Sequence, residues 1–530
     1  MTASFQPRVF NPWLVGVAVV IPAFMEVLDT TIANVSLRHI AGGLSAAETD
    51  SEWVVTSYLA ANAFILPISG WLSAHLGRRN YFLLSIAIFT IASVLCGMAT
   101  SLPALIAFRV LQGLAGGGLQ PSSQGVLLDT FPVEKQGAAQ TLFGVAALIA
   151  PVVGPTLGGW ITDQASWRWI FFINLPIGAI AFAASWILVR DPTYLSEERA
   201  ALRKGPLQFD TIGLALLALG VASWELLLSK GQEWDWIGDP FGRAQTVLVL
   251  FALSVGGLVF WETRQARPIV DFRPLRDRNF LVSCPIIFCA FAILYGSSTL
   301  LPLLLESLFG YDALRAGLVL SPSGFFSVAA VIIGGRLIGK GLDARALIGP
   351  GLIIAGIGSF WMSRMNLDIS PSQAVWPRIV LIIGLAFIFA PINVAAFLYI
   401  PRHLRGAAVG LFALLRNEGG SFGISAGKTI VERRDQFHAL RLNENLDLLN
   451  PATTSFLDQT QAALEHQLGD PVAAKQIALQ ALDNLRVQQA LSLSYFDAFF
   501  IFAIVGFGLS FVVPLMKRSV VIKGAQVAAE

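Results

Sequence analysis

Hydrophobic residues occur in long blocks along the chain, and short polar segments rich in Gly, Pro, Arg and Lys separate them. A helix needs about 20 apolar residues to cross the ~30 Å hydrocarbon core of a bilayer. Fourteen blocks reach this length, so the pattern predicts an all-α integral membrane protein with fourteen transmembrane helices. The predicted spans are residues 12–36, 53–74, 81–99, 102–128, 138–161, 168–189, 210–228, 244–262, 280–305, 315–337, 346–363, 375–399, 406–430 and 495–516.

Composition supports this class. Of the 530 residues, 55% are hydrophobic and 13% are charged, against roughly 25% charged residues in soluble proteins. The net charge of +2 gives no reason to expect nucleic acid as a partner. The first apolar block continues to Val35 with no small-residue cleavage site after it, so we expect a retained helix and not a removed signal peptide.

The distribution of basic residues predicts the orientation. With the N-terminus inside, 21 Lys and Arg residues fall in the inner segments and six fall in the short outer loops. Because basic residues accumulate on the cytoplasmic side, both termini are expected in the cytoplasm, and the chain in the cell (inner) membrane.

An internal repeat organises the spans. The segment 70–79, which follows span 2, and the segment 335–345, which follows span 10, both begin Gly-x-Leu and enter a short basic turn. The repeat predicts an N-terminal six-helix half at 12–189, an inserted helix pair at 210–262 and a C-terminal half at 280–516. Two six-helix halves are typical of transporters, with the substrate path between them.

The segment 431–494 differs from the rest, because it is polar and carries charges of both signs. Its residues 472–491 have apolar positions three and four apart, which predicts one helix. The segment lies outside the membrane between spans 13 and 14. Two interpretations remain open: a solvated loop, or a docking surface for a periplasmic adaptor protein.

Three charged residues stand out within spans 1 and 4. Asp29 and Arg109 each lie seven residues from the outer end of their spans, about 10 Å deep at ~1.5 Å per residue. An ion pair between them is therefore permitted, either as a static packing contact or as a carboxylate that takes part in proton transfer. Glu26 lies three residues before Asp29, on nearly the same face. It is either a proton or substrate site or a polar residue satisfied by its neighbours.

A fourth buried charge, Glu418, lies near the middle of span 13. Arg416 is close in sequence and would compensate it in part, although residues two apart point to different faces of a helix. Glu418 is a candidate proton or substrate site. Glu225 and Glu306 lie near the outer ends of their spans, where we expect their side chains to reach the interface.

The stretch 144–160 in span 5 is uncharged, yet helix-disrupting residues crowd its second half. It is either a hinge or a seal. Its outer position favours a seal, and we expect it to pack against glycine-rich span 13. The residues concerned are Pro151, Gly154, Pro155, Gly158 and Gly159.

Several motifs occur together in order. Residues 25–35 read Met-Glu-Val-Leu-Asp-Thr-Thr-Ile-Ala-Asn-Val, residues 109–113 read Arg-Val-Leu-Gln-Gly, and residues 167–176 read Trp-Arg-Trp-Ile-Phe-Phe-Ile-Asn-Leu-Pro. With the Pro/Gly pattern of span 5, the chain resembles the major facilitator superfamily, and within it the fourteen-helix drug:proton antiporters of the EmrB/QacA type. The resemblance implies export of drugs driven by the proton gradient, with no other cofactor, and proton coupling at the charged positions of spans 1 and 4.

One motif departs from that family. Its inner loop after helix 2 usually reads Gly-x-Leu-x-Asp-Arg-x-Gly-Arg-Arg, whereas this chain has Ala74 and His75 at the Asp and Arg positions. Asp343 and Arg345 are candidates for a related interaction in the other half. The resemblance implies a gating role for the matching residues, which are Gly70, Gly77, Arg78 and Arg79.

We therefore expect a secondary transporter that exports amphipathic or aromatic small molecules by alternating access. The alternative is a carrier of the same fold for a specific metabolite, including an importer. An enzyme is not expected: the five histidines show no metal spacing, and Gly427-Lys-Thr lacks the first glycine of a phosphate loop. Candidate cavity residues are Phe24, Tyr58, Phe64 and Phe387.

Overall fold

The computed structural model of the chain describes residues 11–132, 135–191, 210–265, 268–444, 446–447 and 449–520. Long helices form nearly all of this part. They are α1 Pro12–Val35, α2 Leu37–Gly43, α3 Glu48–Ser51, α4 Trp53–Leu76, α5 Arg78–Gly97, α6 Leu102–Gly116, α7 Leu119–Thr130, α8 Gln136–Gln164, α9 Trp169–Phe172, α10 Asn174–Leu188, α11 Thr211–Lys230, α12 Arg243–Glu262, α13 Arg278–Phe309, α14 Ala313–Gly339, α15 Arg345–Ser363, α16 Pro371–Phe397, α17 Arg405–Asn443, α18 Pro451–Leu468 and α19 Pro471–Ser510.

Side-chain caps mark where many of these helices begin. Asp210, Asp277, Asp312 and Asp470 each accept a hydrogen bond from a backbone N–H in the first turn of the following helix. Such caps satisfy donors that have no partner within the helix. Asp210 is thus the helix-capping residue that its position at the start of span 7 suggests.

Twelve helices in the described part are long and apolar enough to cross a membrane, and α8, bent by 43° at Pro151, makes a thirteenth. Helix α17 occupies the place of predicted span 13, but Arg416, Glu418 and a polar extension lower its hydropathy. The all-α membrane architecture agrees with the prediction. The helices found are consistent with fourteen spans, and the exact number stays a prediction.

The helices pack in two groups. Within α1–α10, the most extensive helix–helix contacts are α1 with α8, α4 with α6 and α5 with α6. Within α13–α19, they are α13 with α17, α15 with α16 and α15 with α19. Helix α8 meets α14 and helix α4 meets α17 between the groups. Helices α11 and α12 pack on each other, and α11 also packs on α4 and α17. The division at 12–189, 210–262 and 280–516 stays a prediction.

The segment 431–494 is more helical than its sequence pattern indicates. Helix α17 has 39 residues and α19 has 40, so each is about 60 Å long at ~1.5 Å per residue. A bilayer core takes up only ~30 Å of that length, so both helices extend beyond it. Helix α18 packs against the extension of α19. The prediction of a single helix at 472–491 therefore underestimated the helical content of segment 431–494.

Six inner cations used to predict the orientation lie outside the described residues. They are Arg8, Arg199, Arg203, Lys204, Arg267 and Lys523.

Candidate functional site

The predicted contact between Asp29 and Arg109 is present. Arg109 Nη1 on α6 donates to Asp29 Oδ2 on α1 at 2.5 Å, and the Arg109 Nε donates to the backbone carbonyl of Val54 at 3.1 Å. Asp29 is 3% exposed and Arg109 is 0% exposed. Two opposite charges at this distance in a low-dielectric interior compensate one another, which explains why both are tolerated.

Two amides complete the surroundings of Asp29. Its Oδ1 accepts from Asn174 Nδ2 at 2.7 Å and from Gln112 Nε2 at 3.0 Å. The guanidinium of Arg109 lies over the Tyr58 ring, 4.2 Å from its centroid. Asp29 therefore accepts hydrogen bonds from three side chains, those of Arg109, Asn174 and Gln112.

Glu26 has a separate set of partners, although it is one helical turn from Asp29. Its Oε1 accepts from Asn62 Nδ2 at 2.9 Å and from the Tyr58 hydroxyl at 3.3 Å, and its Oε2 accepts from Gln120 Nε2. The two carboxyl groups thus share no donor atom. Each carboxyl group is turned towards different helices, Glu26 towards α4 and α7 and Asp29 towards α6 and α10.

Glu26 is connected to the C-terminal group of helices through Gln120. The Gln120 amide donates to Glu26 with its nitrogen and accepts from Arg416 Nη2 with its oxygen. A second bridge runs beside it, where Asn417 Nδ2 donates to Asn62 Oδ1 at 2.9 Å. A carboxylate on α1 is therefore coupled to a guanidinium on α17 through a single neutral amide.

A cleft of about 430 Å³, including its open mouth, lies between the two groups of helices. Glu26 is the one carboxyl group that lines it within the described residues. Apolar and amide side chains form much of the remainder, a combination typical of small-molecule sites. The lining residues are Glu26, Val27, Thr30, Asn34, Leu59, Gln120, Tyr295, Asn417, Gly420, Ser421 and Ile424.

The four aromatic residues predicted to line the cavity lie elsewhere. Tyr58 is fully buried and belongs to the network of Glu26 and Arg109. Phe24 packs into the core of the N-terminal group, Phe64 packs where α4 meets α11 and α12, and Phe387 packs against α14 and α15. None of the four is among the residues that line this cleft, and their assignment to a substrate cavity stays a prediction.

The surroundings of Glu418 also differ from the expectation. Arg416 turns away to Gln120, and Glu418 instead lies beside the side chains of Glu225 and Trp224 of α11. Glu225 is 3% exposed and does not reach the interface as its position suggests. Helix α17 covers Glu225, and a sequence pattern does not show that α11 and α17 pack against each other.

The Pro/Gly stretch of α8 packs tightly on α1. Pro151, Gly154, Gly158 and Gly159 are buried, and Pro155 is half-buried. A Cβ on Gly158 would lie 3.1 Å from Ile32 Cγ2, and one on Gly154 would collide with Thr31. Small residues four apart therefore allow close approach of the two helices.

The partner of α8 across the interface is α14 and not predicted span 13. Thr156 and Ser321 lie 3.3 Å apart between hydroxyl oxygens, and Gly317 of α14 contacts Thr156 closely. Helix α17 packs on α13 and α4 instead. The predicted partner was wrong, since an equivalent place in a repeat does not imply mutual contact.

Three of the predicted gating residues lie where α4 ends and α5 begins. Gly70 approaches α17 so closely that a Cβ there would lie 2.9 Å from the Gly406 carbonyl carbon. Gly77 joins the two helices with φ of 88°, a conformation that favours glycine. Arg78 donates hydrogen bonds to Asp129, with which it forms an ion pair, and to the Gly125 carbonyl.

The fourth predicted gating residue, Arg79, closes the turn against α10. Its backbone N–H donates to Asp191 at 2.8 Å, and its side chain donates to the Trp186 carbonyl at 2.8 Å. These two hydrogen bonds hold the turn in place, although Ala74 and His75 replace the family's Asp and Arg. The gating role itself stays a prediction.

The candidate pair in the other half is present outside the membrane-spanning segments. Arg345 Nη2 donates to Asp343 Oδ2 at 2.7 Å, and the Ser519 N–H donates to Asp343 Oδ1 at 3.1 Å. Burial opposes ionisation of Asp343, but hydrogen bonds from the Arg345 side chain and from the N–H groups of Ser519 and Arg345 outweigh it. The pKa of Asp343 is therefore lowered.

Three functional candidates were missed by the sequence reasoning: Gln120, Asn174 and Asn62. A usable signal existed, because each is an amide within an apolar span, where an unpaired polar group is costly. Asn174 also lies within the quoted motif at 167–176. Within the described ranges, no group of three or more His, Cys, Asp or Glu side chains is arranged to hold a metal ion.

A family model described as Major Facilitator Superfamily matches residues 19–424. The chain belongs to the major facilitator superfamily. A solved structure, that of the human organic anion transporter MFSD10 (TETRAN), matches this major facilitator with a TM-score of 0.57 and 14% identity, covering 96% of this chain and 100% of the other. At that identity the match shows the fold alone.

Curated relatives narrow the family of this major facilitator. The multidrug export protein EmrB of Haemophilus influenzae is 37% identical over 475 residues, which cover 88% of this chain and 90% of the relative. The fatty acid resistance protein FarB of Neisseria gonorrhoeae is 35% identical over 444 residues, 84% of this chain and 85% of the relative. The predicted membership of the EmrB-type branch is confirmed.

Proposed function

We propose that this protein exports amphipathic small molecules in exchange for protons. The observation that carries the proposal is the position of Glu26, which lines the cleft between the two groups of helices and is bridged by Gln120 to Arg416. A proton arriving at Glu26 changes the charge of the cleft and of the contact between the groups in a single event.

The bridge indicates how protonation biases the two access states. Ionised Glu26 accepts from Gln120, which orders that amide to accept from Arg416 in turn. Hydrogen bonds to charged groups contribute ~1.5–3 kcal/mol each, and 1.4 kcal/mol is a tenfold change in an equilibrium. Loss of the charge on Glu26 should therefore change the equilibrium constant for forming the contact between α7 and α17 by about tenfold or more. Asp29 and Arg109, which lie next to the chain of Glu26, Gln120 and Arg416, act as the family's proton-coupling pair.

Relatives and the cleft support the substrate class. The names of EmrB and FarB refer to multidrug export and fatty acid resistance in their own organisms. In this chain, Leu59, Tyr295 and Ile424 supply apolar surface beside Glu26 and Asn417. This lining suits an amphipathic molecule better than a strongly polar metabolite.

The membrane arrangement follows from the same proposal. The protein lies in the inner membrane with both termini in the cytoplasm, and the proton gradient is its energy source. The α8 contact with α1 and α14 closes the outer side and limits proton leak. The projecting helices of segment 431–494 form the surface for a periplasmic adaptor protein.

Replacement of Asp29 by Asn tests the coupling. In everted membrane vesicles, a panel of fluorescent amphipathic amines and medium-chain fatty acids is followed with and without an uncoupler. Wild type should accumulate substrate only with a proton gradient, and Asp29→Asn and Glu26→Gln should each lose gradient-driven accumulation while inserting at wild-type levels. Wild-type flux in Asp29→Asn would contradict the mechanism, and accumulation in the opposite direction would favour the importer.

Removal of α18 tests the adaptor. Residues 451–468 are replaced by a short flexible linker, and the tips of α17 and α19 remain. Efflux from intact cells should fall, because the adaptor surface is lost, whereas transport into vesicles should stay at the wild-type level. Equal loss in both assays would contradict the adaptor proposal.

A further inference from the structure

The inserted helix pair brings a second buried carboxyl group against α17. Glu225 lies on α11 and Glu418 on α17, they are 3% and 8% exposed, and their side chains interact where the two helices pack. Ser421 lies beside Glu225, and Trp224 lies beside Glu418. This contact is separate from the networks of Glu26 and Asp29.

The chemistry of this contact requires a proton. An ionised carboxylate has acceptor oxygens only, so two carboxylates cannot hydrogen bond with each other. Glu225 Oε1 and Glu418 Oε2 are both buried, and neither has a hydrogen-bond partner among the described residues. Two negative charges at contact in a water-poor site also repel strongly, which disfavours double ionisation of the pair.

The charged groups on the packed helices are engaged elsewhere. Arg416 bonds with Gln120, and Lys230 donates to Glu233 at 2.6 Å and lies 3.9 Å from Glu52. At the ends of α12 and α4, the remaining charged or titratable groups bond locally: Arg243 with Asp239, Glu262 with the N–H groups of Ile269 and Val270, and His75 with the Trp71 carbonyl. Lys428 of α17 is exposed.

Aromatic rings and hydroxyl contacts hold the two helices around the pair. The Trp224 ring stacks on Phe422 of α17 and on Phe251 of α12, with centroids 6.3 Å and 4.9 Å apart. Ser425 Oγ donates to the Leu228 carbonyl at 2.6 Å. This cover keeps the carboxyl groups together and limits water, which strengthens a shared proton bond.

We propose that Glu225 and Glu418 form an acid–carboxylate pair that binds one exchangeable proton and joins the inserted helices to α17. With the proton bound, the pair carries a single negative charge in an O–H···O bond. Release of that proton to water leaves two carboxylates, whose repulsion loosens α11 from α17.

The pair borders the central cleft. Ser421, which lies beside Glu225, also lines the cleft, and Asn417, the sequence neighbour of Glu418, donates a hydrogen bond to Asn62, a partner of Glu26. The inserted helices are thereby a titratable part of the transport cycle and not a passive addition. This role in coupling rests on the proposed function, whereas the shared proton does not.

Infrared titration of the purified protein tests the shared proton. Wild type at neutral pH should show the carbonyl band of a protonated carboxyl group, shifted by deuterium exchange. The Glu225→Gln/Glu418→Gln variant should lose intensity in this band and bind one proton fewer per chain, while any contribution of Glu26 remains. Glu432→Gln, an exposed change on the same α17 helix, is the matched control and should change neither result. A band of equal intensity in the double variant, or equal proton counts, would overturn the proposal.

The wild-type titration decides the question even where the double variant folds poorly, because carbon-13 labelling of glutamate assigns the band to a Glu side chain. Absence of any glutamate band at neutral pH would overturn the pair. Vesicle assays then address coupling: fewer protons moved per substrate in the double variant supports the role, and an unchanged ratio overturns it. Absence of proton-driven transport in wild type would refute the proposed function and leave the infrared result standing.

Discussion

Two arginines are fully buried at equivalent spans of the predicted repeat, yet they have different partners. Arg109 in α6 pairs with Asp29 at 2.5 Å. Arg378 in α16 donates instead to two hydroxyls of α13, to Ser297 at 2.6 Å and Ser298 at 2.5 Å, and no described carboxyl group is paired with it. The first site is a neutral ion pair, and the second keeps an uncompensated positive charge.

This difference indicates a division of labour between the halves. A proton on Asp29 removes one charge of a pair, so the N-terminal site changes its net charge from zero to +1. The hydroxyls around Arg378 do not titrate near neutral pH, so that site keeps one charge throughout. Under the proposed mechanism, we therefore expect the response to protons on the N-terminal side and at the contacts of α17, whereas the Arg378 site is expected to keep a constant charge.

The largest expected effect separates the two arginines directly. Arg109→Met leaves Asp29 as an unpaired buried charge and should cost roughly 3–5 kcal/mol of stability. Arg378→Met should cost about 1 kcal/mol or less, because Ser297 and Ser298 still donate to the carbonyls of Ile293 and Leu294 on their own helix. The apparent melting temperature in one detergent measures both.

The control for that experiment is the pair Asp29→Asn/Arg109→Met, which removes both charges and should recover most of the lost stability. Equal destabilisation by Arg109→Met and Arg378→Met would show that both sites depend on their arginine in the same way, and the comparison would fail.

An intermediate effect is expected when the second site is made to resemble the first. Ser298→Asp places a carboxylate beside Arg378, and a double-mutant cycle with Arg378→Met should show a favourable coupling of ~0.5–3 kcal/mol. Ser298→Asn has nearly the same volume without the charge, so it isolates the electrostatic part. Additive effects of Ser298→Asp and Arg378→Met would mean that the introduced carboxylate does not reach the guanidinium.

The same comparison shows what the sequence can predict. Asp29 and Arg109 were found because charges are rare in apolar spans and because both lie at equal depth, which limits their partners. Arg378 was equally visible as a charge, but its serine partners were not, since serine is common in membrane helices. The spans were predictable for the same reason, as bilayer thickness imposes a length on every apolar block.

The remaining features depend on which helix faces cross. Glu225 meets Glu418, and α8 meets α14, through helix rotation and tilt, which leave no pattern in one sequence. The extension of α17 did leave a signal: residues 428–443 contain no Gly or Pro to end the helix, and Pro451 and Pro471 stand at the first positions of the next two helices. Polarity was mistaken there for irregular structure.

The smallest expected effect concerns the Asp343–Arg345 pair at the aqueous edge. Solvent surrounds this pair, whereas the Asp29–Arg109 pair lies in a low-dielectric interior. Asp343 contacts Arg345 at 2.7 Å with 19% of its side chain exposed, so Asp343→Asn should cost only about 1 kcal/mol or less at pH 7. The lowered pKa of Asp343 means that this contribution is complete above the unfolded pKa of ~3.9 and is lost as the pH falls through the folded value. Melting temperatures of wild type and Asp343→Asn should therefore differ at pH 7 and converge as the pH falls below about 4. Arg345→Gln is the matched control. A difference in melting temperature that persists in acid would assign the destabilisation to the hydrogen bonds of the introduced amide and not to the lost charge.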